Sequence, residues 1–501
     1  MKKWVSEVVT IDEVKSWNDG DIITIEAGTG AGKSRFIKVS LYAHAKAQGK
    51  KILFLLHRTN CVNQFQMEIE QDNKTDIIDI KTYQHIEAKI RYTGDYDFSG
   101  YQYIVCDEFH YFMQDHFNKY TDLSLNAILE QSDKIKIFMS ATGDMMERYL
   151  TGHKQIETIP YKIPTNYKFI RNLAFFNKDE TLDKVIVQAI EENKKIIIFI
   201  DSAKKAYNLY RKYKEYCLFN CSKHNKDFYQ YVNEEKIIDM LKNERFEENI
   251  LITTTCLDTG VNIRDEELQY IFCDVKDIRT LIQCIGRKRI INNKDTIELY
   301  IKTINNKQLG GMISELSKRR EMAKFLRENH TRAYIEKYPR DYDKYCIVYA
   351  DVVKGEKDLA NLKINYLLYI KYLVDVSTYQ SMVKMDFGYC KFLAKIFGYY
   401  DPYDGYQYVV LDEKYEKETL EQYLDSIVGD KLFKDEQKEL KEMFDKNGLK
   451  ARTLGINTIN GYLKDINSPY IIETGKRKSY RDENGKIKKE KSHWIVGKIT
   501  Y

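Results

Sequence analysis

The sequence predicts an α/β fold. Two successive runs of alternating strand and helix, each forming a mostly parallel sheet, precede a helical region and a small basic module. Three observations carry this. Short apolar, β-branched runs recur at 22–25, 51–56, 77–80, 103–106 and 134–139, each followed by a polar cluster and a helical pattern. The alternation restarts at 195–200 and continues through 217–220, 250–254, 270–273 and 296–301. Beyond residue 305 the apolar residues adopt helical spacing, as at Leu362, Tyr366, Leu367 and Tyr369 to Leu373. Parallel sheets present ligands at the C-terminal ends of their strands, and the polar clusters of the first run fall there.

The first run opens on Ile22 to Ile25, a strand that leads into Glu26-Ala27-Gly28-Thr29-Gly30-Ala31-Gly32-Lys33-Ser34. Its glycines let the backbone curl so that several N–H groups point inward, and a following helix adds its own N-terminal donors. Lys33 supplies a point charge for β- and γ-phosphates, and Ser34 a hydroxyl for Mg²⁺. Ala27 stands where such a loop usually has its first glycine. The next helix is expected to bury Ile37, Leu41 and Ala45 and to stop at Gly49.

The fourth strand ends in Asp107-Glu108-Phe109-His110 and the fifth in Ser140-Ala141-Thr142. Asp107 is placed to hold Mg²⁺ and Glu108 to orient and deprotonate a water. Alone, such a pair reads as an acidic turn; coupled to an upstream phosphate loop, it reads as catalytic.

Composition bounds the rest. The 501 residues leave room for about three to four domains. With 43% hydrophobic and 31% charged residues, a large core is possible and wholesale disorder is not expected. Net charge is only +5, so a nucleic-acid surface must be local. No run of 18 apolar residues and no signal-peptide pattern is present, which predicts a cytoplasmic protein without membrane contact. The nine cysteines are scattered and fit a reducing compartment. Cys217, Cys221 and His224 cluster without a fourth ligand nearby, so no structural zinc is expected.

The loop at 27–34, Asp-Glu-Phe-His at 107–110 and Ser-Ala-Thr at 140–142 resemble the superfamily 2 helicases of the DEAD/DEAH-box kind, bacterial or phage type. His110 in fourth place gives the likeness a DExH character. The resemblance implies two tandem RecA-like P-loop domains, ATP and Mg²⁺ as cofactors, and a coupling role for His110, Ser140, Ala141 and Thr142. It puts Arg58, Thr59, Thr82, Tyr83 and Gln84 where the family contacts one strand's phosphates. Residues 1–26 contain no Gln, so the adenine-reading glutamine of DEAD-box proteins is missing.

In the second run, Ser202 reads as the N-cap of 203–206 and, by resemblance, as a nucleic-acid contact. Thr253 to Asn262 resembles the segment touching both nucleic acid and the ATP cleft; Thr254 and Thr255 fall to the nucleic acid, Asp258 and Gly260 to the nucleotide. Gln283-Cys284-Ile285-Gly286-Arg287-Lys288-Arg289 resembles the helix carrying arginine fingers. A guanidinium from the facing domain meets charge that the loop's own lysine cannot reach. Arg287 is the expected finger, and Arg289 a finger or an interface residue. Lys288 is expected on a solvated face.

Residues 155–170, with Pro160 and Pro164, read as an interdomain linker. The expected domains are 1–160, 161–305, a helical domain at 306–445 and a winged-helix-like module at 446–501. That last stretch has 13 Lys and Arg against 5 Asp and Glu, as a phosphate-binding surface requires. A short helix over 454–465 and strands at 470–473 and 493–499 are expected there, with 482–485 at a hairpin tip. Asp404 and Asp412-Glu413-Lys414 resemble a nuclease metal site, but the spacing is loose and a charged strand end is the better account. The tyrosines of the helical domain read as core rather than as a base-stacking platform.

The expected function is ATP-dependent translocation on, and unwinding of, nucleic acid. DNA is favoured over RNA by the winged-helix likeness, with replication or repair proteins as further candidate partners. A non-unwinding translocase, an annealing motor or a nucleic-acid scaffold timed by an ATPase are the alternatives.

Overall fold

A computed structural model describes residues 4–28, 30–57, 59–109, 111–114, 120–257, 261–292, 294–340, 342–353, 356–451, 454–476, 479–481, 487–489 and 492–499. The chain divides into two compact units, one formed by 1–173 and 185–408, the other by 174–184 and 409–501.

In the first unit, strands β1 (Ile22–Ala27), β2 (Ile52–Leu56), β3 (Ile78–Thr82), β4 (Tyr103–Cys106), β5 (Ile135–Ser140) and β6 (Ile159–Ile163) form one sheet in the order β3-β2-β4-β5-β1-β6. Every pairing is parallel. Alternation along β2 sends Ile52, Phe54 and Leu56 to one core and Leu53 and Leu55 to the other, so helices cover both faces. Ile37, Leu41 and Ala45 are fully buried in the helix over 33–47. That helix widens to π-helical turns over Phe36–Leu41, directly after the loop.

Strand β6 occupies part of the expected linker. Pro160 is tolerated because β6 lies at the sheet's edge, where a missing N–H costs no ladder bond.

A second sheet carries β7 (Ile170–Phe176), β8 (Lys195–Ile200), β9 (Cys217–Asn220), β10 (Ile250–Thr253), β11 (Leu268–Asp274) and β12 (Ile297–Lys302) in the order β7-β12-β11-β8-β10-β9, with the short strand Val409–Val410 pairing parallel to β7 at its outer edge. The pairings β8–β10, β9–β10, β8–β11 and β11–β12 are parallel. Two mostly parallel α/β sheets in tandem are the architecture the sequence predicts. Helices Asn306–Glu328, Thr331–Lys337, Tyr366–Val383 and Gly388–Ile396 follow. Between them lies an antiparallel pair, β13 (Val348–Val353) and β14 (Glu356–Ile364), that sequence reading missed; Leu362 sits in β14 rather than in a helix. Tyr334 and Tyr372 are buried in this region's core.

The second unit has helices Leu411–Ser426, Lys434–Lys446 and Ile456–Asp465, then antiparallel strands Tyr470–Thr474 and Trp494–Lys498. Val428 and Leu432 make single bridges to Val496 and Trp494. Three helices thus precede a two-stranded antiparallel pair. One core runs from Leu420 through Phe444 and Ile459 to Val496, so the expected boundary at 446 falls inside it. The anticipated hairpin tip lies outside the described residues.

Asp412 is a helix cap. Its carboxylate accepts from the N–H groups of Asn177 (2.6 Å) and Lys178 (3.1 Å) and the Thr181 hydroxyl (2.7 Å), capping the helix Asp179–Glu191. No helix among the described residues is long and apolar enough to cross a membrane. Among the described residues no group of three or more His, Cys, Asp or Glu is placed to hold a metal.

Candidate nucleotide and nucleic-acid site

The loop between β1 and the helix over 33–47 is held from two directions. Gly30 and Gly32 adopt φ of 76° and 87°, a region that a side chain disfavours. A Cβ at Gly32 would also stand 3.0 Å from the Trp4 ring. The Val5 N–H donates to Ala31 O at 2.9 Å, so residues 4–8 brace the loop. Nothing in the sequence marks Trp4 for this place. The buried Lys33 ammonium donates to Ala27 O at 2.8 Å, closing the loop on itself. Ser34 is exposed at its mouth.

Asp107 and Glu108 leave β4 beside this loop. Tertiary hydrogen bonds fix them: Asp107 N–H to Leu55 O (3.0 Å) and Phe109 N–H to Met139 O (2.9 Å). Glu108 has φ of +50°, a strained value for a non-glycine residue and a common companion of function. Burial and the adjacent Glu108 push the Asp107 carboxyl up to about 7, while Lys33 and Arg287 pull it back. Among the described residues Asp107 Oδ1 is buried and accepts no hydrogen bond. Ser140 and Thr142 end β5 next to β1, with Thr142 N–H donating to Ser140 Oγ at 3.0 Å. Ala141 lies between them, partly buried.

The arginine segment departs from expectation. The helix Ile278–Ile285 stops at Gly286, Arg287 completes the turn, and Lys288 makes a single parallel bridge to Ile263. Arg287 O accepts from Ile263 N–H (2.9 Å), and Arg289 N–H donates to Ile263 O (2.8 Å). Side chains alternate in direction about a bridged residue, so Lys288 points away from its two neighbours. Lys288 is therefore buried, not solvated: its ammonium reaches Asp265 O (2.6 Å) and Asp295 Oδ1 (2.7 Å). Arg287 is anchored through Nε to Gln283 O (3.0 Å) and through Nη1 to Val261 O (3.3 Å). Its charge acts on Asp107. Arg289 donates to Asn262 Oδ1 at 2.7 Å. Burial and Arg287 lower its guanidinium, and Glu108 pushes it back up. Lys33, Asp107, Glu108, Arg287 and Arg289 thus form one electrostatic cluster between the two sheets. Gln283 is buried behind it.

The expected phosphate contacts are mixed. Thr82 caps the helix Tyr83–Thr93, accepting from His85 N–H at 3.1 Å. Gln84 donates to His57 O at 2.9 Å. Tyr83 is fully buried: its ring stacks on Tyr111 at 4.9 Å and its hydroxyl donates to Asp107 O, so it offers no surface to a phosphate. An aromatic residue behind a strand end carries no sequence signal of direction. Ser202 Oγ caps the helix Ala203–Lys212. Thr254 is buried, its N–H donating to Asn220 O at 3.2 Å, and Thr255 opens a single 3₁₀ turn. Thr29, Arg58, His110, Asp258 and Gly260 lie outside the described residues, and Thr59 is described only as the start of a helix.

Residues 177–290 match the helicase conserved C-terminal domain. No curated protein matches the chain. Among solved structures, it is similar to Mss116p bound to single-stranded RNA and AMP-PNP (16% identity, 59% of this chain and 68% of that one, TM-score 0.45). It is similar to S. cerevisiae Dbp5 bound to RNA and ADP BeF3 (15%, 57% and 79%, TM-score 0.43). It is similar to the Mycobacterium smegmatis helicase Lhr bound to single-stranded DNA and AMP-PNP (15%, 61% and 46%, TM-score 0.43). The match over 177–290 falls on the second sheet and makes that part of the chain a helicase conserved C-terminal domain.

Proposed function

We propose that the chain is an ATP-driven, DExH-type motor that translocates on nucleic acid and separates its strands, with DNA preferred over RNA. The observation that carries this is the cluster of Lys33, Asp107 and Glu108 from one sheet with Arg287 and Arg289 from the other. Phosphoryl transfer needs charge on both sides of the γ-phosphate and little covalent help.

The roles follow from position. The N–H groups of 27–33 cradle the phosphates, and Lys33 exchanges its bond with Ala27 O for phosphate oxygens. Asp107 Oδ1, buried without a donor, and the exposed Ser34 hydroxyl suit a hard cation; these two residues would hold Mg²⁺, which supplies charge neutralisation on the β- and γ-phosphates. Glu108 takes a proton from the attacking water. Arg287 meets the charge that develops on the transferring group, from a different domain, so nucleotide binding draws the two sheets together. Thr82, Gln84, Ser202, Thr254 and Thr255 remain the candidate strand contacts; DNA preference rests on the winged-helix likeness and basic charge of the C-terminal stretch.

The test is ATP turnover with single-stranded DNA, duplex DNA and RNA, then strand displacement on the best activator. Lys33→Ala should abolish turnover and weaken nucleotide binding. Glu108→Gln should lose about 10²–10⁴ in rate while retaining bound ATP. Near-normal turnover in Glu108→Gln would overturn the assignment of the base.

A further inference from the structure

The helix Tyr366–Val383 meets three neighbours on three faces. Leu367 and Val374 belong to the first sheet's core with Leu53, Leu55 and Phe112. Leu368 and Tyr372 belong to the core around Met322 and Leu326. The third face carries Lys371 and Asp375, one turn apart, toward the helix that precedes Arg287.

There four charges interlock. Lys371 Nζ lies 2.5 Å from Asp375 Oδ2 and 3.4 Å from Asp277 Oδ2, and Arg279 Nη1 lies 3.1 Å from Asp375 Oδ1. Asp375 is buried; Lys371 and Arg279 are nearly so. Asp277 is the N-cap of the helix Ile278–Ile285, accepting from Thr280 N–H at 2.9 Å. At the other end of that helix, Arg287 Nε holds Gln283 O. A rigid path therefore runs from the first sheet's core through Lys371 and Asp375 to the Arg287 guanidinium. Apolar residues would fill this place at no greater cost than a desolvated network, whereas the network admits only one register between the helices.

We propose that Lys371 and Asp375 are positioning residues, and that their helix is a strut setting Arg287 opposite Asp107 and Glu108. The proposal rests on the ATPase reading above. Because the helix is anchored in the first sheet's core, it sets the arginine segment's place relative to the phosphate loop.

The test is a double-mutant cycle on nucleic-acid-stimulated ATP turnover. The paired replacement Lys371→Met with Asp375→Leu removes opposite charges and keeps the apolar bulk. It should lower kcat about 10- to 10²-fold, the scale of a small misplacement of a catalytic group. KM should move by less than about twofold, since the phosphate loop is untouched. On an Arg287→Ala background the same pair should cause no further loss, because the group it positions is already gone. An unchanged kcat, or an equal fold-loss on the Arg287→Ala background, would overturn the strut. If the pair fails to fold, Asp375→Glu keeps the charge and shifts it by one methylene in the same cycle. Turnover in the unaltered protein that Lys33→Ala abolishes establishes the ATPase reading by itself. No turnover with any nucleic acid would overturn both.

Discussion

The Tyr83 hydroxyl donates a 2.8 Å hydrogen bond to the main-chain carbonyl of Asp107. Gln84, the next residue, donates to His57 O. The segment 82–84 thus touches both the end of β2 and the acid pair. Tyr83→Phe keeps the stacked ring and strands a buried carbonyl, which should cost about 1–3 kcal/mol in denaturant unfolding. It should also lower kcat, because Asp107 is held through that carbonyl. Wild-type stability together with wild-type turnover would refute this.

Arg287 and Arg289 differ in their anchors. Arg287→Ala should reduce kcat by about 10³, the lower end for an arginine finger, with little change in KM. Arg289→Ala should be milder, since its Nε is already engaged by Asn262. A larger loss at Arg289 would exchange the roles.

Asp412 tests the second unit. Asp412→Ala removes three hydrogen bonds and the cap of the helix Asp179–Glu191. A loss of about 1–3 kcal/mol is expected, read by thermal unfolding. Metal-dependent nuclease activity that vanishes in this variant would instead revive the metal reading.

Asp122 gives a pH signature. Burial pushes its carboxyl up to about 6, despite the hydrogen bond it accepts from Tyr349. The folded state thus holds a proton that the unfolded state releases, and this group's contribution falls as pH rises from about 4 to 6. Asp122→Asn should be more stable than wild type above pH 6, with the gain shrinking toward pH 4. An equal difference at every pH would show that Asp122 is not the source.

The phosphate loop, the acid pair and most strand positions were legible because each is a local pattern: a β-branched run, then glycines or carboxylates, then a helix. In the second run, 195–200 and 217–220 coincide with β8 and β9. The strand at 159–163 was not legible, because two prolines read as a breaker until an edge position is known.

What the sequence by itself determined is which residues carry charge and at which strand end they lie. Direction was decided by tertiary structure. Lys288 reads as solvated beside two arginines; the bridge between Lys288 and Ile263 turns it inward, where its ammonium meets Asp295. Tyr83 faces inward because its hydroxyl finds Asp107 O, 24 residues away. Such choices depend on partners distant in sequence, and no local periodicity records them.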